Sequence, residues 1–176
     1  MSFRTKAICL RAITLAIAIW WAAAAGAAPA VVLVVRHAEK EALPADDPPL
    51  TPAGKQRSAE LVRVVQSWSS AGAPLRELFV SEVKRTQQTL QPLAAASGLA
   101  LSVVNAKDTA TLVKRILAID GGIVVVAGHS NTVPALIEAL GGPAGIVIAD
   151  SEFDRLFAVT GAGAQARVVA LRYGER

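Results

Sequence analysis

The chain holds two histidines in 176 residues, and each directly follows an apolar run. The first lies in Val34-Val35-Arg36-His37-Ala38-Glu39-Lys40, the second in Val125-Val126-Ala127-Gly128-His129-Ser130-Asn131-Thr132. A third segment has the same context: Leu78-Phe79-Val80-Ser81 runs into Glu82-Val83-Lys84-Arg85-Thr86-Gln87-Gln88-Thr89. One histidine at such a place is more often structural. Two of two, with one arginine adjoining and another after a third run, is a sharper coincidence. Several chemistries drop out. Two histidines make a poor zinc site, which takes three or four protein ligands. Gly128-His129-Ser130-Asn131-Thr132 lacks the Gly-x-Ser-x-Gly elbow of serine hydrolases. No Gly-x-x-x-x-Gly-Lys-Ser/Thr loop is present to cradle a nucleotide. Arginine, by contrast, matches phosphate through bidentate hydrogen bonds. Two arginines and two histidines around one anion suit phosphoryl transfer. One imidazole attacks phosphorus while the other groups stabilise charge on the equatorial oxygens.

For these side chains to meet, the strands before them must end at one edge of one sheet. Val31 to Val35 and Ile123 to Ala127 are wholly apolar and β-branched, the pattern of strands buried on both faces. Leu78 to Ser81 and Leu99 to Val104 read as two more strands. Thr51 is placed to cap a helix with Pro52 in its first turn, and Ala59, Leu61, Val62, Val64, Val65 and Trp68 follow at helical spacing. Glu82 to Ala96, Thr109 to Ile119 and Asn131 to Leu140 are also helical. Arg155 to Thr160 and Ala166 to Tyr173 read as a hairpin through Gly161 and Gly163. The alternation predicts a three-layer α/β/α sandwich around a mostly parallel central sheet. Ligands of such sheets sit beyond the carboxyl ends of the strands, where both histidines fall.

Composition bounds the function. A chain 53% hydrophobic and 18% charged is not disordered. The formal charge of +4 is concentrated at the start: Arg4, Lys6 and Arg11 precede any acid, the first being Glu39. Residues 1–28 have the cationic, apolar, small-residue order of a signal peptide. This leaves a single domain over residues 29–176, which is close to neutral, has no basic run, and so has no electrostatic footprint for nucleic acid. The only cysteine, Cys9, lies in the leader, so disulfides, Cys-ligated zinc and thiol catalysis are not expected of 29–176. A retained membrane anchor is the competing reading, since Ala12 to Val35 carries no charge. Once Val31 to Val35 is assigned to a strand, roughly 25 Å of apolar helix remains against a bilayer core of about 30 Å, which favours cleavage. The expected location is periplasmic or secreted, with membrane association only if the leader is retained.

The three motifs together resemble the histidine phosphatase superfamily, the phosphoglycerate mutase-like proteins. The resemblance rests on Arg36-His37-Ala38-Glu39, on Ser81 to Thr89 with Arg85 inside, and on Gly128-His129-Ser130-Asn131-Thr132. Pro49-Leu50-Thr51-Pro52-Ala53-Gly54 adds weaker support. It spans about Val31 to Thr160. It implies that His37 is transiently phosphorylated and that Arg36, Arg85 and His129 form the phosphate pocket, with neither metal nor organic cofactor. Two departures stand out. Ala38 replaces a glycine common in the family, which is tolerable unless that position needs a positive φ. The family's leaving-group acid has no clear counterpart; Asp108 is the positional candidate, and its equal alternative is a helix N-cap. Glu39 lies beside the nucleophile in sequence but can instead pair with a rim cation. A missing acid would favour a good leaving group such as phosphohistidine, and small bacterial phosphohistidine phosphatases are similar in size.

The resulting expectation is an exported phosphatase acting on a phosphomonoester or a phosphohistidine, its substrate a phosphorylated small molecule or envelope component. A non-catalytic phosphate-binding domain of the same fold is the alternative. Mutase activity ranks last, because no long insertion separates the motifs. The arginines are expected to keep His37 unprotonated. Ser130 and Asn131 are read as helix caps, and Glu152, Asp154 and Arg155 as a solvated loop first and a site rim second. Trp20 and Trp21 belong to the leader, and Trp68 is read as packing.

Overall fold

The computed structural model describes residues 28–174. The proposed signal peptide and its two tryptophans therefore lie outside the described residues, apart from Ala28. A six-stranded sheet carries helices on both faces. In chain order the elements are β1 (Val31–Arg36), α1 (Pro52–Ser70), β2 (Leu75–Val80), α2 (Lys84–Ser97), β3 (Leu101–Val103), α3 (Thr109–Leu117), β4 (Ile123–Gly128), α4 (Thr132–Ala139), β5 (Arg155–Thr160) and β6 (Arg167–Arg172). The strand order is β3-β2-β4-β1-β5-β6. The first four strands along that order pair in parallel, while β5 is antiparallel to both β1 and β6. This is the expected three-layer α/β sandwich with a mostly parallel sheet.

Both faces of the sheet are covered, which is why β1 and β4 read as unbroken apolar runs. Val31, Leu33 and Val35 point into one core with Leu61 and Val65 of α1 and Leu90 and Leu93 of α2. Val32 and Val34 point into the other with Ile116 of α3 and Val133, Leu136 and Ile137 of α4. Trp68 packs against the first core, as its position suggested. The β5–β6 hairpin turns through a short 3-10 segment, Gly163–Gln165. Among the described residues no helix is long and apolar enough to cross a membrane.

The start of α1 is clamped onto the chain just after the first histidine. Thr51 is the N-cap and its hydroxyl accepts from the Gly54 N–H at 3.0 Å. The Thr51 N–H donates to the Glu39 carbonyl at 2.9 Å. Gly54 is needed for this approach, because a Cβ there would lie 2.2 Å from the Glu39 carbonyl oxygen. The opposing atom is backbone and cannot swing aside. Gly54→Ala should therefore destabilise the fold by roughly 1–3 kcal/mol, the usual cost of forcing bulk into a packed position. Urea unfolding checks this, and an unchanged midpoint would mean that the two segments separate freely.

Candidate active site

The carboxyl end of β1 delivers Arg36 and His37, and the end of β4 delivers Gly128 and His129. The two strands pair in register, with Arg36 opposite Gly128. The ladder runs one bond further, since the His37 N–H donates to the Gly128 carbonyl at 2.9 Å. The next residue is tied to the helix that carries the second arginine. The Ala38 N–H donates to the Thr89 hydroxyl at 3.0 Å, and that hydroxyl donates to the Arg85 carbonyl at 2.7 Å. Ala38 is fully buried, and among the described residues only glycines have positive φ. The alanine therefore fits its backbone without strain.

The His37 ring is oriented by its own neighbour. Nδ1 lies 2.8 Å from the Ala38 carbonyl oxygen. A carbonyl only accepts, so Nδ1 carries the proton and Nε2 of the neutral ring keeps a free lone pair. The His129 ring stands edge-on to it, with centroids 5.4 Å apart and planes at 63°. His129 Nε2 lies 3.0 Å from the Ser81 hydroxyl at the end of β2, which also meets the Thr86 hydroxyl at 2.9 Å. The His129 N–H donates to the Thr132 hydroxyl at 2.8 Å. That corrects the expected caps: Asn131 occupies the N-cap position of α4 without a side-chain bond, and the Thr132 hydroxyl instead ties the start of the helix to the His129 backbone.

Arg36 is 6% exposed. One terminal nitrogen donates to the carbonyls of Ala149, Asp150 and Glu152 at 2.8, 3.0 and 3.1 Å. Its guanidinium carbon lies 4.2 Å from the centroid of the Phe153 ring, and the same ring lies 5.9 Å from His37. The Nε atoms of Arg36 and Arg85 are buried and have no hydrogen-bond partner. Arg36 and Arg85 repel one another, and both disfavour a positive charge on His37. Two guanidiniums, each with a buried and unpartnered Nε–H, beside two imidazoles are arranged for an anion.

Sequence reasoning missed Phe153 and the carbonyls around it. The signal was topological. Because β5 runs antiparallel to β1, with Leu156 opposite Val35, its amino end lies beside the carboxyl end of β1. The residues entering β5 therefore belong at the site edge, ahead of any reading as solvated loop.

Burial is the largest influence on both imidazoles. It lowers His37 to about 3, against a hydrogen bond to Ala38 and with help from Arg36, His129 and Arg85. It lowers His129 to about 4, aided by Arg85 and opposed by Glu82. The arginines do disfavour the protonated ring, as expected, but they come second to desolvation. Both rings are neutral in the free site at neutral pH.

The carboxylates are sorted by their contacts. Asp108 is an N-cap: its Oδ1 accepts from the Thr111 N–H at 3.0 Å and it is fully exposed, so the structure does not bring it into the site as a leaving-group acid. Glu39 makes a bidentate pair with Arg57, with Oε1 2.7 Å from one terminal nitrogen. Glu82 lines a cleft of about 410 Å³ together with Arg85, Lys107, Asn131 and His129. Among the described residues no group of three or more His, Cys, Asp or Glu is arranged to hold a metal ion.

The family model described as histidine phosphatase superfamily (branch 1) matches residues 32–108, from β1 through β3 to the N-cap of α3. That segment, which carries Arg36, His37 and Arg85, is similar to the histidine phosphatase superfamily. Solved structures share the fold over most of the chain. A protein histidine phosphatase SixA complexed with tungstate is 19% identical, with a TM-score of 0.61 over 81% of this chain and 96% of that one. A phosphohistidine phosphatase SixA from Agrobacterium tumefaciens is 22% identical, with a TM-score of 0.57 over 83% and 99%. A mycobacterial glucosyl-3-phosphoglycerate phosphatase is 13% identical, with a TM-score of 0.58 over 82% and 99%. No curated protein matches the chain in sequence. The family match and the phosphatase neighbours support a hydrolase acting on phosphate esters.

The neutrality of the two rings can be read directly. The ring C–H signals of His37 and His129 should stay at their neutral positions in an NMR titration from pH 8 down to about pH 5. A midpoint near 6.5 for either ring would show that burial does not control it.

Proposed function

We propose that the enzyme moves a phosphoryl group first onto His37 Nε2 and then to water, and that its substrates carry a leaving group that departs without help from a protein acid. The observation that carries this reading is the fixed tautomer of His37, its Nε2 lone pair free beside His129 and two guanidiniums with unpartnered Nε–H groups. The tungstate in the SixA complex is a tetrahedral oxyanion of the shape such a pocket would take.

The steps balance simply. The Nε2 lone pair attacks phosphorus, and the bond from phosphorus to the leaving oxygen or nitrogen breaks in line with it. Arg36 and Arg85 hold the equatorial oxygens, where charge accumulates. A bound phosphate raises the affinity of the neighbouring His129 for a proton, so His129 becomes a cationic donor when the site fills. The leaving group takes its proton from solvent. Water then attacks the phosphohistidine, the nitrogen–phosphorus bond breaks, and inorganic phosphate leaves with His37 neutral again.

Neither Asp108, spent on a helix cap, nor Glu82 is suited to donate that proton. Glu82 is held below the usual carboxylate range by hydrogen bonds from its own and the Ala106 N–H groups, so it is ionised at neutral pH. Without a carboxylic acid, phosphohistidine and other labile phosphates are favoured over simple alkyl esters, whose poor leaving groups need protonation.

His37→Ala should abolish hydrolysis of para-nitrophenyl phosphate and acid-labile labelling by a radioactive phosphate donor. Asp108→Asn, which preserves the cap, should keep turnover within about twofold, because asparagine caps as well as aspartate. Residual turnover in His37→Ala would reject the covalent scheme, and tungstate binding by the unaltered protein without turnover would select a phosphate-binding domain instead.

We also propose that the enzyme works outside the cytoplasm. The support is the cationic, apolar and small-residue order of residues 1–28. Expressed with its leader in a bacterium, the protein should appear in the periplasmic fraction with a new amino terminus near Ala28. An intact leader in the membrane fraction would mean a retained anchor.

A further inference from the structure

The cleft of about 410 Å³ opens from Arg85 and His129 and is not lined by His37. An in-line transfer to His37 requires the leaving group on the far side of phosphorus from Nε2. The cleft is therefore the space that a leaving group enters once the phosphoryl group sits among the arginines.

Its charged lining consists of Glu82, Arg85, Lys107 and His129. Glu82 is the sole acid among these. It is anchored, because one carboxylate oxygen accepts from the Ala106 N–H at 2.8 Å. Among the described residues no Lys, Arg or His nitrogen lies within 4.0 Å of its carboxylate. Lys107 and His129 act on it only at longer range. The cleft on the other side of the site differs. There Glu39 is paired with Arg57, and Glu152 and Asp154 with Arg172. The acids of that cleft are neutralised by cations of the same chain, whereas Glu82 presents its charge to the cleft.

A fixed anion at the mouth of a phosphate-binding pocket repels the dianion the arginines attract, although it also favours a proton on His129. The anion is useful where the other end of the substrate is positive. We infer that Glu82 is a specificity-determining residue that selects phosphorylated substrates whose leaving group carries a positive charge. The leaving group is then an amino alcohol, or the protonated nitrogen heterocycle of a phosphoramidate. The inference deepens the phosphatase reading above and rests on it for the direction in which the leaving group lies.

Binding to a His37→Gln variant, which cannot turn the ligand over, tests it. The probes are phosphocholine and 3,3-dimethylbutyl phosphate, which replaces the quaternary nitrogen with carbon at nearly constant shape. Phosphocholine should bind about fivefold more tightly, the scale of an exposed ion pair, and the difference should shrink in high salt. Adding Glu82→Gln should bring the two affinities within twofold. Equal affinities while Glu82 is present, a preference that survives Glu82→Gln, or failure of both ligands to bind would each overturn the inference. Because the first comparison uses Glu82 intact, it does not depend on how the second variant folds. Hydrolysis of para-nitrophenyl phosphate by the unaltered protein separates the two readings. Hydrolysis without the phosphocholine preference removes the role of Glu82 and leaves the phosphatase, while the preference without hydrolysis does the reverse.

Discussion

The pairing of β1 with β4 is the constraint on which the site depends. The parallel register places Arg36 opposite Gly128, and one further bond joins the His37 N–H to the Gly128 carbonyl. Two rings far apart along the chain are thereby held 5.4 Å apart. A slip of one residue would turn one imidazole to the opposite face of the sheet, because side chains alternate. The register is enforced by burial on both faces, where Leu33, Val34, Val35, Val124 and Val125 are fully inaccessible. The apolar character of these strands thus fixes the geometry of the polar groups at their ends.

The same burial sets the electrostatics. Taking two imidazoles out of water lowers their affinity for protons more than the neighbouring arginines do. The free site is therefore positive through its guanidiniums and neutral through its rings. This suits a nucleophile, which needs a lone pair, and it leaves His129 able to gain a proton when an anion arrives. Arg36 tolerates its own burial because it is held on three sides of the guanidinium: by carbonyls of the segment before β5, by the Phe153 ring, and by the longer 3.9 Å approach of Asp150. The carbonyls take one terminal nitrogen, Asp150 approaches the other, and Nε is left unpaired.

Much of this was legible in the sequence, for identifiable reasons. The strands before His37 and His129 announced themselves because strands covered on both faces are continuously apolar, and the rule that ligands gather at their carboxyl ends then located the chemistry. Arg85 was found by the same context after β2. Thr51-Pro52 marked the start of α1 because capping is local chemistry. Asp108 was ambiguous because a cap and a catalytic acid have the same residue type at the same place, and only its contact with the Thr111 N–H decides. Phe153 was invisible because its relevance depends on the direction of β5, a long-range pairing with no local signature. Glu82 was overlooked within a motif already read for its arginine. Its carboxylate has no ion pair within 4.0 Å among the described residues, and composition carries no record of that.

The distribution of acids also constrains how the fold divides its labour. Glu39 follows the nucleophile by two residues, yet its carboxylate is bound to Arg57, whose other terminal nitrogen donates to the Tyr173 carbonyl at 2.9 Å. That arrangement ties the β1 exit, α1 and the chain after β6 together, and removes a carboxylate that would otherwise compete with phosphate for Arg36. Glu152 and Asp154 are drawn off in the same way by Arg172. Glu39, Glu152 and Asp154 are thus engaged by cations that take no part in the phosphate pocket, Asp150 approaches Arg36 only at 3.9 Å, and the Nε–H groups of Arg36 and Arg85 stay free. Against that pattern an unpaired acid on the leaving-group side is an exception with a direction. It lines the cleft that opens from Arg85 and His129, on the side assigned above to the leaving group.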